Sequence, residues 1–388
     1  MERAPSAILH SGDDVVTTEI HQNYDPAANL RIALTDQERD RLQRLETVKG
    51  KYVTSANDAD LKREFHRLLV HAGLRADTTE PHSRTNRREG RLLVLTGPSG
   101  AGKTRSLLRT IRRHPALLGY DPEGTDGPVT VVNVPSPCTL KQLGRDTLAR
   151  TGYPLERDVL EHLTWEKVRR RLDAGNKVVL CYDEMQHITQ TANTVEHQKV
   201  ANTLKDLMIN PEWRLSVIVC GLPSVAEFIR SDVQLERRAR FVSLKPLRSP
   251  DDNADIAAMV AGLANVAGLS VENDVERDLA PRLIHAAGNL FGIAIELTHD
   301  AIETAMDAEA FNSDEDDNAL AVGSHTPPPQ TGTLSRDHFA QALAARIGCS
   351  AAENPFVSDD WVMTLAPKPA PLSRRSSKTR AQPGRSEA

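Results

Sequence analysis

What this chain lacks narrows its class first. No apolar run approaches the length of a membrane-spanning helix, and the N-terminus, with Glu2 and no apolar core segment, does not read as a secretory signal, so no membrane partner is expected and the cytoplasm is the expected location. Cysteine is scarce. Cys138, Cys181, Cys220 and Cys349 are too scattered for a disulfide framework or a metal cluster, and two of them fall in expected buried strands. A strongly basic composition is also missing, since the formal net charge is -5, which argues against a uniformly basic nucleic-acid binder while leaving room for local patches. No helix has base-reading spacing either, so any such contact is expected to run through phosphates. What remains is 388 residues, 39% apolar and 26% charged, enough for one large α/β unit with smaller helical parts.

The most informative feature present is the run Gly97, Pro98, Ser99, Gly100, Ala101, Gly102, Lys103, Thr104. It follows the apolar stretch Leu92 to Leu95 and precedes Arg105-Ser106-Leu107-Leu108, so it reads as strand, glycine-rich turn and helix. Glycines let successive backbone N–H groups approach phosphate oxygens, and the helix adds the positive end of its dipole. Lys103 would reach the β- and γ-phosphates of ATP, and the Thr104 hydroxyl would ligate Mg²⁺; Arg105 is counted with the nucleotide contacts. A second apolar run, Lys177 to Tyr182, ends in Asp183 and Glu184. As a strand buried on both faces of a parallel sheet, it delivers two carboxylates at the end where ligands bind: Asp183 for Mg²⁺, Glu184 to orient or deprotonate the attacking water.

Along the chain, residues up to about Leu30 show no periodicity and read as an arm. Thr35 to Glu38 has the capping-box pattern, and Leu61, Phe65, Leu68 and Leu69 form a helical stripe. Strands at 129–134, 215–220 and 241–244 alternate with helices, which implies a parallel sheet covered on both faces. From about Pro250 the spacing is wholly helical. The expected division is an N-terminal arm and helix over 1–54, an α/β nucleotide-binding domain over 55–248, a helical lid over 249–310, and a linker, short helix and disordered tail over 311–388.

In this order the motifs resemble the AAA+ ATPases, and within them the TniB/TnsC-type regulators of DNA transposition, over about residues 55 to 305. The general likeness rests on GPSGAGKT at 97–104, VVLCYDE at 178–184, LSVIVCG at 215–221, the run Leu235 to Phe241 and the helical lid. The narrower one rests on residues 131–155, DEMQHI at 183–188, and residues 219–244. The resemblance implies an AAA+ P-loop NTPase fold, with a central parallel sheet flanked by helices plus a small helical lid. It also implies an ATPase that assembles as a ring or filament on double-stranded DNA and works with a transposase and a target-selection protein of the same element. An arginine from one protomer would touch the γ-phosphate held by the next; Arg237 and Arg238 are the candidates, unless they are only a solvated basic stretch. Lys141, Arg145 and Lys167 match the region that would contact DNA, or else form exposed helical faces. Gln186 and His187 either act on the water or the bound state, or merely cap the next loop. Two positions depart from the family pattern: Leu222 stands where a polar residue would sense phosphate, and Phe291 where relatives carry arginine, which fits a weakly hydrolysing or partner-dependent enzyme. A helicase-loader-like ATPase and a signalling NTPase are the alternatives.

Overall fold

The computed structural model describes residues 26–190, 193–272, 274–313 and 332–364. The elements begin with α1 (Pro26–Ala33), α2 (Asp36–Gly50) and α3 (Ala56–Ala72). The sequence reading left the arm unstructured to about Leu30; instead α1 forms and Arg31 pairs with Glu46 on α2, a contact between segments that no local pattern announces. The capping box at the start of α2 is as the sequence reads, with Glu38 N–H donating to the Thr35 hydroxyl and Thr35 N–H to the Glu38 carboxylate.

The sheet is built from β1 (Leu92–Thr96), β2 (Val129–Asn133), β3 (Val179–Asp183), β4 (Ser216–Gly221) and β5 (Ala239–Ser243), all parallel in the order β2-β3-β4-β1-β5. Its three central strands are buried at every residue, as apolar runs covered on both faces must be. Side-chain alternation assigns each strand to two cores. Leu93, Leu95 and Cys181 pack with Leu61 and Phe65 of α3 and with Leu107 and Ile111 of α4 (Lys103–Arg113). Leu92, Val94, Leu180 and Tyr182 pack on the other face with α5 (Leu140–Arg150), α6 (Glu161–Ala174) and, beyond the one-turn helix α7 (Gln186–Thr189), α8 (Thr194–Ile209). Helix α9 (Pro223–Arg230) follows β4. Cys138, Cys181 and Cys220 are buried thiols within these cores, in no disulfide, their pKa values pushed up by burial.

A third core lies in α11 (Asn253–Val266), α12 (Ala280–Ala286) and α13 (Phe291–Ser313), reached after the short α10 (Val233–Glu236) and β5. Leu45 and Val48 of α2 are part of it, and so are Phe339 and Leu343 of α14 (Arg336–Ile347), whose Arg346 pairs with Glu296 and Asp300 on α13. Helix α14, which the sequence reading places in a terminal segment, shares this core with α11, α12 and α13. The acidic and proline-rich linker read at 314–329, the tail from Pro367 and most of the N-terminal arm lie outside the described residues.

Candidate functional site

At the carboxyl end of β1 the chain turns through residues 97–102 into α4, with Gly100 and Gly102 at φ 79° and 88°, a region that costs any other residue strain. Lys103 is buried and its Nζ donates to the carbonyls of Gly97 (3.1 Å) and Pro98 (2.9 Å), which folds the ammonium over the loop. Thr104 Oγ1 donates to Asp183 Oδ2 at 2.6 Å. Two hard oxygens at the open end of the sheet suit a Mg²⁺ that keeps several waters, so the residues present fit the metal. Asp183 Oδ1 accepts from the Glu184 N–H (2.9 Å), and Glu184 adopts φ 56°, unusual for its type. The Gln186 amide donates to the Glu184 carboxylate and accepts from the Leu222 N–H at 3.2 Å, while His187 Nδ1 lies 2.8 Å from the Val134 carbonyl.

A cavity of about 290 Å³ extends from this loop between the segment before α3 and the lid, lined by Ser99 to Ser106, Glu184, Tyr52, Val53, Ser55, Asp58, Phe291, Ile295, Glu296 and His299. The lid helix starts directly on the phosphate loop: a Cβ on Gly292 would lie 2.2 Å from the Gly100 carbonyl oxygen. Asp58 gathers the other wall, accepting from the hydroxyls of Tyr52 (2.8 Å) and Ser106 (2.6 Å) and from the Ser55 N–H (2.9 Å). Burial, with the Asp58 carboxylate beside it, pushes the Tyr52 phenol up to about 12. His299 is buried, its Nε2 has no partner among the described residues, and burial together with Arg105 and Lys49 lowers its pKa. Arg105 itself donates to the Lys49 and Lys51 carbonyls, both at 2.8 Å, and so ties the phosphate-loop helix to the end of α2. Sequence reading missed Tyr52, Asp58 and His299, because they converge on the loop from segments that carry no motif; only the Ser55-x-x-Asp58 capping pattern was a local sign.

Arg237 and Arg238 lie just before β5, at the amino end of the sheet, because β5 runs parallel to β1 with Ala239 opposite Leu92. The length of β1, five residues at roughly 3.3 Å each, separates them from their own phosphate loop by about 16 Å. Neither can serve its own nucleotide. Arg237 is exposed. Arg238 differs from Arg237: it is buried, donating to Glu89 at 2.7 Å and to the Gln234 carbonyl at 3.0 Å within its own chain. The expected DNA contacts divide in the same way. Lys141 pairs with Asp158 at 2.6 Å, and Arg145 donates to the Leu155 and Arg157 carbonyls, so both hold the loop after α5; Lys167 on α6 is exposed and has no ion pair among the described residues.

Residues 86–229 match a family model described as an AAA domain. Among solved structures, the chain is similar to the ORC2 protein of Aeropyrum pernix in its ADPNP-ADP complexes (15% identity over 79% of this chain and 72% of that one, TM-score 0.51). It is similar also to Cdc6p of Pyrobaculum aerophilum (12%, 79% and 75%, 0.51) and to the ORC1 protein of Aeropyrum pernix in complex with DNA (14%, 80% and 70%, 0.52). No curated protein matches the sequence. The chain has an AAA+ P-loop NTPase fold, a five-stranded parallel sheet flanked by helices, and among the described residues no helix is long and apolar enough to cross a membrane.

Proposed function

We propose that the protein is an ATPase that regulates DNA transposition: it binds and hydrolyses ATP with Mg²⁺, assembles on duplex DNA without reading its sequence, and recruits or activates a transposase. The observation that carries the ATPase part is the convergence of Lys103, Thr104, Asp183 and Glu184 at one end of the sheet. Lys103 swings from the loop carbonyls to the β- and γ-phosphates. Water attacks the γ-phosphorus, its proton passes to the Glu184 carboxylate, and the bond to the β-phosphate oxygen breaks to release ADP. Mg²⁺ neutralises the phosphate charge when bound. Because Arg237 sits at the far end of the sheet, it acts on a neighbour's nucleotide, which makes hydrolysis depend on assembly. The transposition part rests on the likeness to TniB/TnsC-type proteins over residues 131–155, 183–188 and 219–244.

A second reading, a loader or initiator-type ATPase, is supported by the similarity to the ORC and Cdc6 folds, one of them solved with DNA. Electron microscopy with duplex DNA and a slowly hydrolysed ATP analogue tests the assembly: rings or filaments that dissolve with ADP and weaken steeply with salt are expected, and monomers would end the proposal. Stimulation of a transposase encoded beside this protein decides between the two readings.

A further inference from the structure

Gln186 opens the short α7 and is 5% exposed. Its Oε1 faces a donor, the Leu222 N–H at the end of β4, and its Nε2 faces an acceptor, the Glu184 carboxylate. A carboxamide between one donor and one acceptor has a single satisfied orientation, so neither end can be exchanged. Space for it is reserved: a Cβ on Gly221 would lie 2.4 Å from Gln186 Oε1, so a larger residue there would displace the carboxamide. Glu184 is meanwhile held at φ 56° by its N–H bond to Asp183 and by the following N–H of Met185, which donates to the Cys220 carbonyl at 2.9 Å.

From this geometry we infer that Gln186 is a positioning residue, a strut that fixes the Glu184 carboxylate relative to the end of β4. Leu222 offers no side-chain hydrogen bond, but its backbone N–H anchors Gln186, which carries the position of the β4 end to Glu184. The inference rests on the proposed reading of Glu184 as proton acceptor.

ATP turnover with duplex DNA, ATP affinity and melting temperature are compared for the wild type, Gln186→Glu, Gly221→Ala and Glu184→Gln. Gln186→Glu still accepts from the Leu222 N–H but offers no donor to Glu184. It is expected to lower kcat by about tenfold or more while KM and ATP affinity stay within roughly threefold, with Gly221→Ala showing the same split. A merely structural Gln186 would instead lower melting temperature and ATP affinity together with kcat, which overturns the strut. So does turnover by Gln186→Glu at or above the wild-type rate while Glu184→Gln is inactive, an outcome that leaves the reading of Glu184 intact. Wild-type turnover by Glu184→Gln removes the proton-acceptor assignment itself, and the strut with it.

Discussion

The Thr104 hydroxyl donates to the Asp183 carboxylate at 2.6 Å across 79 positions of sequence, joining the phosphate loop to the acidic strand. Both are hard oxygens, and together they would hold a Mg²⁺ ion that would neutralise phosphate charge. Asp183→Ala is therefore expected to erase the difference in ATP affinity between Mg²⁺ and EDTA buffers, which calorimetric titration reads directly; an undiminished Mg²⁺ effect would exclude Asp183 from the metal site.

Lys103 is buried, and in the proposed function it is the cation that meets the β/γ-phosphates. Its replacement by alanine removes a charge-assisted contact and is expected to cost roughly 2–4 kcal/mol of ATP affinity. Binding within a few-fold of wild type would refute the phosphate-loop role.

The two arginines before β5 separate experimentally. Arg237→Ala keeps the melting temperature and ATP binding but loses ATP-dependent assembly and hydrolysis. Arg238→Ala breaks a buried guanidinium's bonds to Glu89 and Gln234 and is expected to lose about 2 kcal/mol of stability in denaturant unfolding. The opposite pattern would return Arg238 to the interface.

His299 is among the residues that line the cavity, and its buried Nε2 has no partner among the described residues. A contact there with the base or sugar predicts that His299→Ala weakens ATP binding about tenfold or less, the value of one hydrogen bond, yet leaves inorganic tripolyphosphate binding unchanged. Equal losses for both ligands would assign the residue to the phosphates or to folding.

His66 and His114 stack between α3 and the end of α4, with Nδ1 of His66 3.1 Å from Nε2 of His114. Since His114 Nδ1 accepts from the Ala116 N–H, the proton sits on Nε2 and is donated to His66. Burial, then His66 and Lys62, lower the His114 pKa from 6.5, so the folded state takes up a second ring proton, at Nδ1, less readily than the unfolded chain. The pair's contribution is complete above that value and is lost as pH falls below it. Melting temperature should drop as pH falls below 6.5, and the slope should be shallower in His114→Gln; an identical slope would absolve the pair.

The phosphate loop and the acidic strand were legible because each is a contiguous stretch whose local conformation is its function: glycines for the turn, an apolar run for the buried strand, carboxylates where that strand ends. The capping box of α2 and the alternation of strand and helix were legible for the same reason. By itself the sequence determined the AAA+ P-loop fold and the loop and strand end that carry the candidate residues. Tertiary structure alone decided which of two adjacent arginines is spent on Glu89, that Lys141 and Arg145 hold a loop, that α14 shares a core with α11, α12 and α13, and that Gln186 spans from Glu184 to Leu222. Each of these depends on a partner brought near by folding. A hydrogen bond or ion pair acts over a few ångströms of space, and distance along the chain says nothing about that.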